Sequence, residues 1–295
     1  MLPFLKLVRY KNLLMVLLTM VLTKYMLIDS IGQSWLELRG FIILSTIIIF
    51  TTAAGYIIND IFDVTTDQIN KPEKLYISTA IPVKKGLQLY WFLTLCAGIL
   101  AFAFSEKVLD YFIFFGTPIL LYLYSKFFKK IVFLGNIIIS FLVALPIYVV
   151  FMFDFIPAKT AISAINNPIY YTIYFYLFFA FTTTIIREII KDIEDVDGDL
   201  KIKAKTLPIL FGRKRASKIA FFLSAILLLF LLIILQFLKD DLLFLVYGII
   251  FILLPLLYFM YTLWFSEYKK DFSKLSNLLK LIMLLGILSM VLFKV

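Results

Sequence analysis

Long apolar runs alternate along the chain with short charged stretches, and the runs are longer than a soluble core helix needs. A hydrocarbon layer about 30 Å thick takes roughly 20 apolar residues at 1.5 Å each to cross as a helix. Such runs occur at about 12–29, 41–58, 87–104, 109–125, 131–153, 168–190, 218–238, 242–266 and 275–293. The pattern predicts an all-α integral membrane protein with about nine transmembrane helices. The fourth run is short and the ninth carries Lys280. Pro118, Pro146 and Pro255 fall inside runs, where they read as ordinary helix kinks of a bundle. No Ser/Gly-rich linker interrupts the pattern, so residues 1–295 read as one transmembrane domain.

Composition agrees with this reading: the 295 residues are 63% hydrophobic, with mean hydropathy +1.00. A net charge of +10 would suggest a nucleic-acid partner in a soluble protein. Here the basic residues lie between apolar runs, as they do in cytoplasmic loops, and no nucleic-acid partner is expected. One side collects Lys6, Arg9, Lys11, Lys71, Lys74, Lys84, Lys85, Lys126, Lys129, Lys130, the block from Arg187 to Lys218, and Lys269, Lys270, Lys274 and Lys280. The other has Lys24, Arg39, Lys107, Lys159, Lys239 and Lys294. This asymmetry predicts a cytoplasmic N-terminus and cytoplasmic loops after the second, fourth, sixth and eighth runs. No small-residue cleavage site follows the first run, which reads as a retained helix. The single Cys96 excludes an internal disulfide, and the absence of histidine removes imidazole ligands and the commonest general base.

The acidic residues carry the chemistry. Of nineteen Asp and Glu, ten fall in two windows: Asp60, Asp63, Asp67 and Glu73, then Glu188, Asp192, Glu194, Asp195, Asp197 and Asp199. Asp60, Asp63 and Asp67 follow the spacing i, i+3, i+7, and Asp192, Asp195 and Asp199 repeat it 132 residues later. On a helix continuing out of a span, each triplet would present its carboxylates on one face. Such rows are costly unless cations bridge them, and hard oxygen ligands suit Mg²⁺. Both windows begin where the second and sixth runs end, which allows them to face each other across a cavity mouth. Lys71, Lys74, Lys126, Lys129, Lys130, Arg9, Lys201, Lys203 and Lys205 accompany them. Most of these serve as positive-inside anchors, but carboxylate-held Mg²⁺ with a few cations is a general way to grip a diphosphate. The apolar spans would accommodate a lipid tail.

At these residues the sequence resembles the UbiA superfamily of intramembrane prenyltransferases. Asn59, Asp60, Asp63 and Asp67 match its N-D-x-x-D-x-x-x-D pattern, and Asp192, Asp195 and Asp199 match its D-x-x-D-x-x-x-D pattern. Asn70-Lys71-Pro72, Arg187-Glu188, Thr206-Leu207-Pro208 with Gly212, Tyr124 with Lys129 and Gly135-Asn136, and Arg9 with Asn12 add to the likeness. The resemblance implies a nine-helix bundle with a central cavity and two Mg²⁺ ions. Asp60, Asp63, Asp192 and Asp195 would hold the ions, with Asp67 and Asp199 in support, and Asn59 would orient the first motif or bind metal through its carbonyl. It also implies diphosphate contacts from Arg9, Lys71 or Lys74, Lys129 and Lys205, with Asn12 nearby and Tyr124 as hydrogen-bond donor or cation-facing ring. The implied reaction passes a prenyl group from a prenyl diphosphate, such as geranylgeranyl diphosphate, to a lipophilic acceptor in the membrane lipid. The segment Lys74-Leu75-Tyr76-Ile77-Ser78 departs from the Arg-Pro turn of many members, which leaves the phosphate-binding cation there open. The run from Lys191 to Pro208 looks most like the digeranylgeranylglyceryl phosphate synthase-like subfamily, whose acceptor is a glycerol phosphate ether. Aromatic or quinone-precursor acceptors, and a terpene cyclase without acceptor, are the enzyme alternatives. A divalent-cation transporter fits less well, because the middles of the runs lack carboxylates.

Overall fold

The computed structural model describes residues 2–31, 34–155 and 168–294. Among them, nine helices are long and apolar enough to cross a membrane. They are α1 Tyr10–Ile28, α2 Leu38–Phe62, α3 Val83–Phe104, α4 Val108–Lys126, α5 Leu134–Asp154, α6 Pro168–Glu194, α7 Arg213–Phe237, α8 Leu242–Trp264 and α9 Lys269–Lys294. The predicted count is met, and the differences lie at the ends. Helices α2 and α6 each run on past the apolar stretch to Phe62 and Glu194, because hydropathy registers the last apolar residue and not the last helical one. Helix α5 starts at Leu134 and not near 131, because Phe128–Lys130 form a tight 3₁₀ turn and Phe133 takes a positive φ of 64°. The α3–α4 connection is short, and the Asp110 carboxylate ties it by accepting the N–H groups of Glu106 and Lys107 at 3.1 and 3.0 Å.

The described residues form two compact units. The first comprises Met1–Met20, Leu36–Gly135 and Asp197–Ala204, and the second comprises Val21–Trp35, Asn136–Val196 and Lys205–Val295.

In the first unit α2 is the central element, packed by α3 and α4. Small residues on α2 permit close approach, the usual device where helices lack a hydrophobic driving force to associate. A Cβ at Gly55 would lie 3.0 Å from Leu121 of α4. Around this seam Leu7, Val8, Ala53, Ala54, Ile57, Ile58, Ile77, Tyr90 and Leu93 form a buried apolar cluster. Ile57 and Ile58 of that cluster immediately precede the first aspartate motif in α2.

In the second unit α6 is packed by α7 and α9. Gly286 of α9 makes room for Phe179 of α6, whose ring carbon would be 2.2 Å from a Cβ there. Tyr176 and Ser289 share a 2.8 Å hydrogen bond beside it. At the α6 N-terminal side, Lys24 donates to Asp154 at 2.9 Å and to Ser34 at 2.7 Å, and Asp154 also accepts from the Ser34 hydroxyl and the Trp35 N–H at 2.8 Å each. Charges within spans are costly, and this full satisfaction is what makes the pair tolerable. An apolar cavity of about 900 Å³ lies between α5, α6 and α7, with Phe141, Leu145, Tyr148, Tyr171, Phe178 and Phe230 in its wall.

Candidate active site

Both aspartate triplets adopt the same local structure. Asp60 lies in the last turn of α2, Asp63 occupies the single-residue break after Phe62, and Asp67 belongs to the short helix Val64–Asn70. Asp192 lies in the last turn of α6, Asp195 occupies the break after Glu194, and Asp199 belongs to Val196–Lys201. The expected continuous helical face is therefore interrupted at the middle aspartate in both motifs. Backbone hydrogen bonds carry on across the breaks, from Asp63 N–H to Asn59 O and from Asp195 N–H to Lys191 O, each at 2.9 Å. The sequence could not show this, because i, i+3, i+7 spacing is the same for a straight helix and for one with such a break.

In the first unit, Asp60 is buried and accepts from Arg9 Nη2 at 2.7 Å. Arg9 sits between Leu2–Leu7 and α1 with φ at 52°, a region few non-glycine residues occupy. That backbone kink lets the guanidinium lie 4.9 Å from the Tyr56 ring centroid and reach Asp60. Asn12 follows a turn later, its N–H bonded to Arg9 O at 2.7 Å. Asp63 is held from two sides, by Asn59 Nδ2 at 2.8 Å and by the Lys129 ammonium. Lys129 is presented by the 3₁₀ turn against Gly135, where a Cβ would come within 2.8 Å of the Lys129 Cα. Asp67 is a half-buried carboxylate near both Asp60 and Asp63. Burial first, then Asp63 and Asp60, push it up to about 6, partly offset by Lys71.

The same unit contains Asp197–Ala204, the end of the second motif. Gly198 N–H donates to Asn70 Oδ1 at 3.0 Å, and a Cβ at Gly198 would lie 2.4 Å from Asn70 Nδ2 and 2.8 Å from Thr66. The helices bearing Asp67 and Asp199 thus pack directly on one another, with glycine required at the contact. Gly198 was not singled out from the sequence. Its signal was a glycine between two aspartates in a helical segment, where Gly is otherwise unfavourable.

In the second unit, Asp192 accepts from Asn136 Nδ2 at 2.8 Å, and Asn136 is itself buried. Lys205 belongs to this unit and is exposed. Tyr124 is half-buried on α4, whereas the neighbouring Tyr122 is the ring that packs on Phe62, centroids 5.6 Å apart, with the Lys126 ammonium 5.7 Å from it. The Lys74 side chain lies outside the described residues.

Among the described residues, no three carboxylates are gathered into a closed cage. Arg9 and Lys129 instead compensate Asp60 and Asp63. The donor set nevertheless suits a hard divalent cation, because it is built of carboxylate oxygens with an asparagine.

The sequence matches the UbiA prenyltransferase family over residues 15–285, and the chain belongs to that family. Among its relatives, a digeranylgeranylglyceryl phosphate synthase of Methanosphaera stadtmanae is 33% identical over 226 residues, which are 76% of this chain and 74% of that one. A solved digeranylgeranylglyceryl phosphate synthase has 26% identity and a TM-score of 0.67, covering 99% of this chain and 98% of its own. A UbiA homologue from Archaeoglobus fulgidus bound to GPP and Mg²⁺ shares the fold at a TM-score of 0.61 and 17% identity, covering 98% of this chain and 99% of its own. The protein is accordingly a multi-pass integral membrane enzyme, a prenyltransferase.

Proposed function

We propose that the chain transfers a prenyl group from a prenyl diphosphate to a phosphorylated glyceryl ether lipid, with Mg²⁺ held by Asp60, Asp63, Asp67, Asp192, Asp195 and Asp199. The observation that carries this is the twofold occurrence of one helix, break and helix arrangement, with an aspartate at each of its three stations. The relatives' name supplies the acceptor class, and the homologue with GPP and Mg²⁺ supplies the donor class and metal.

When bound, Mg²⁺ offsets the charge that develops on the departing diphosphate. The residues of this chain do the rest. Arg9 and Lys129, which pair with Asp60 and Asp63, are the cations that would offer donors to the diphosphate oxygens. Asn59 and Asn136 keep Asp63 and Asp192 in their rotamers. Apolar walls such as those of the cavity between α5, α6 and α7 suit an isoprenoid chain. The allylic C1–O bond breaks, with its electron pair leaving on the diphosphate, and the acceptor hydroxyl oxygen bonds to C1. Without histidine, the hydroxyl proton passes to the leaving diphosphate or to a carboxylate.

The test uses the purified full chain in detergent with labelled geranylgeranyl diphosphate, with and without Mg²⁺, and a panel of acceptors. Mg²⁺-dependent label in an ether lipid is the expected outcome. A cyclised hydrocarbon or alcohol formed without acceptor would establish the cyclase alternative instead.

A further inference from the structure

Tyr56 belongs to α2, and the functional reading so far gives it no role. It stands four residues before Asp60, about 6 Å further along the helix axis into the span. Around the axis it lies about 40° from Asp60 and about 20° from Asp63, so its ring is on the face that carries the first motif. The Arg9 guanidinium packs on this ring, with Cζ 4.9 Å from the centroid, while Nη2 of the same group donates to Asp60 at 2.7 Å. A ring contact and an ion pair therefore hold one guanidinium from two sides. Arg9 makes no other side-chain hydrogen bond among the described residues, so the rest of its five N–H donors face no protein acceptor. Its side chain is 38% exposed, which keeps those donors accessible. The backbone is fixed on both sides of it. Leu7 and Val8 are buried in the apolar cluster immediately before Arg9, and the Arg9 carbonyl accepts from the Asn12 N–H at 2.7 Å just after it.

We infer that Tyr56 is a positioning residue for the donor diphosphate: its ring face seats the Arg9 guanidinium so that one donor rests on Asp60 and the others are presented to the diphosphate. This deepens the transferase reading and rests on it. A long arginine side chain loses rotamer freedom when it grips a ligand, and a flat ring that already holds the guanidinium removes part of that cost. The ring contributes direction and no charge. The carboxylates of the motif stay available for metal, and no net positive charge is required of the site. The role belongs to the aromatic face and not to the phenolic hydroxyl, because the cation meets the ring over its face.

The experiment measures Kd of geranylgeranyl diphosphate in the presence of Mg²⁺, alongside kcat and KM with a prenylglyceryl phosphate. It uses the purified full chain, Tyr56→Leu, Tyr56→Met, Tyr56→Phe, Arg9→Gln and the double variant Arg9→Gln/Tyr56→Leu. Tyr56→Leu should weaken donor binding roughly three- to thirtyfold, with KM for the acceptor moving less than about twofold. Tyr56→Met keeps bulk without a ring face and should lose as much, so the result does not hang on the folding of one variant. Tyr56→Phe keeps the ring and should restore donor binding to within about twofold of wild type. In the Arg9→Gln background, Tyr56→Leu should add less than about twofold, since the ring then has no guanidinium to seat. Equal losses in the two backgrounds would overturn the assignment and leave Tyr56 as packing alone. So would a Tyr56→Phe loss as large as that of Tyr56→Leu, or a loss that higher Mg²⁺ removes, which would put the effect on Asp60. Wild type that binds the donor without turnover would sink the transferase reading while Kd still reads the coupling of Arg9 to Tyr56; wild type that binds no donor would overturn both.

Discussion

Asp60, Asp63 and Asp192 each have an identified hydrogen-bond partner, and that bears on what a substitution there should do. Asp60→Asn and Asp192→Asn remove metal-binding charge and should each lower turnover by about a hundredfold or more, with melting temperature in detergent close to wild type. Wild-type rates in either variant would contradict the metal assignment. Asn136 touches no reacting group in this account and acts through its 2.8 Å bond to Asp192. Asn136→Ala should weaken apparent Mg²⁺ affinity roughly ten- to a hundredfold and be rescued by excess Mg²⁺, whereas a purely structural role would give a loss that Mg²⁺ does not rescue. The repeated spacing of the six aspartates was legible in the sequence, whereas Arg9 and Lys129, expected at the diphosphate, pair here with Asp60 and Asp63. The role of Asn136 toward Asp192 was not legible, because a hydrogen bond between residues 56 positions apart leaves no local pattern.

Among the elements, the apolar spans were legible to within a few residues, since a membrane span announces itself by length and composition. What hydropathy could not register was that α2 and α6 carry their helical geometry past the apolar run, break at Asp63 and Asp195, and resume. The packing of Val196–Lys201 on Val64–Asn70 was equally hidden, because it depends on one missing side chain. Gly198→Ala would drive a Cβ into Asn70 and Thr66, and it should cost about 1–3 kcal/mol of stability and reduce activity through displacement of Asp199 and Asp67. An unaltered melting curve and unaltered activity would show that this contact is slack. At the far end of α1, Lys24 and Asp154 are buried with their hydrogen bonds shared by Ser34 and Trp35. Lys24→Met strands the Asp154 charge and should destabilise by about 3–5 kcal/mol, readable as a fall in melting temperature with kcat/KM preserved in the molecules that remain folded.

For the whole molecule, the lysine and arginine asymmetry predicts a cytoplasmic N-terminus and cytoplasmic aspartate motifs. Single cysteines introduced at Lys71 and Lys203 in a Cys96→Ala background should react with an impermeant maleimide only from the cytoplasmic face of oriented vesicles. Reaction from the opposite face would invert the topology. The central claim is a diphosphate ionised by two aspartate motifs for the benefit of an acceptor in the membrane. Its most direct measurement is the Mg²⁺ dependence of label transfer from geranylgeranyl diphosphate to a prenylglyceryl phosphate by the purified chain. The account predicts an ether-linked product that disappears with chelation and in Asp60→Asn; transfer that persists without divalent metal, or no consumption of the diphosphate with it, would contradict it.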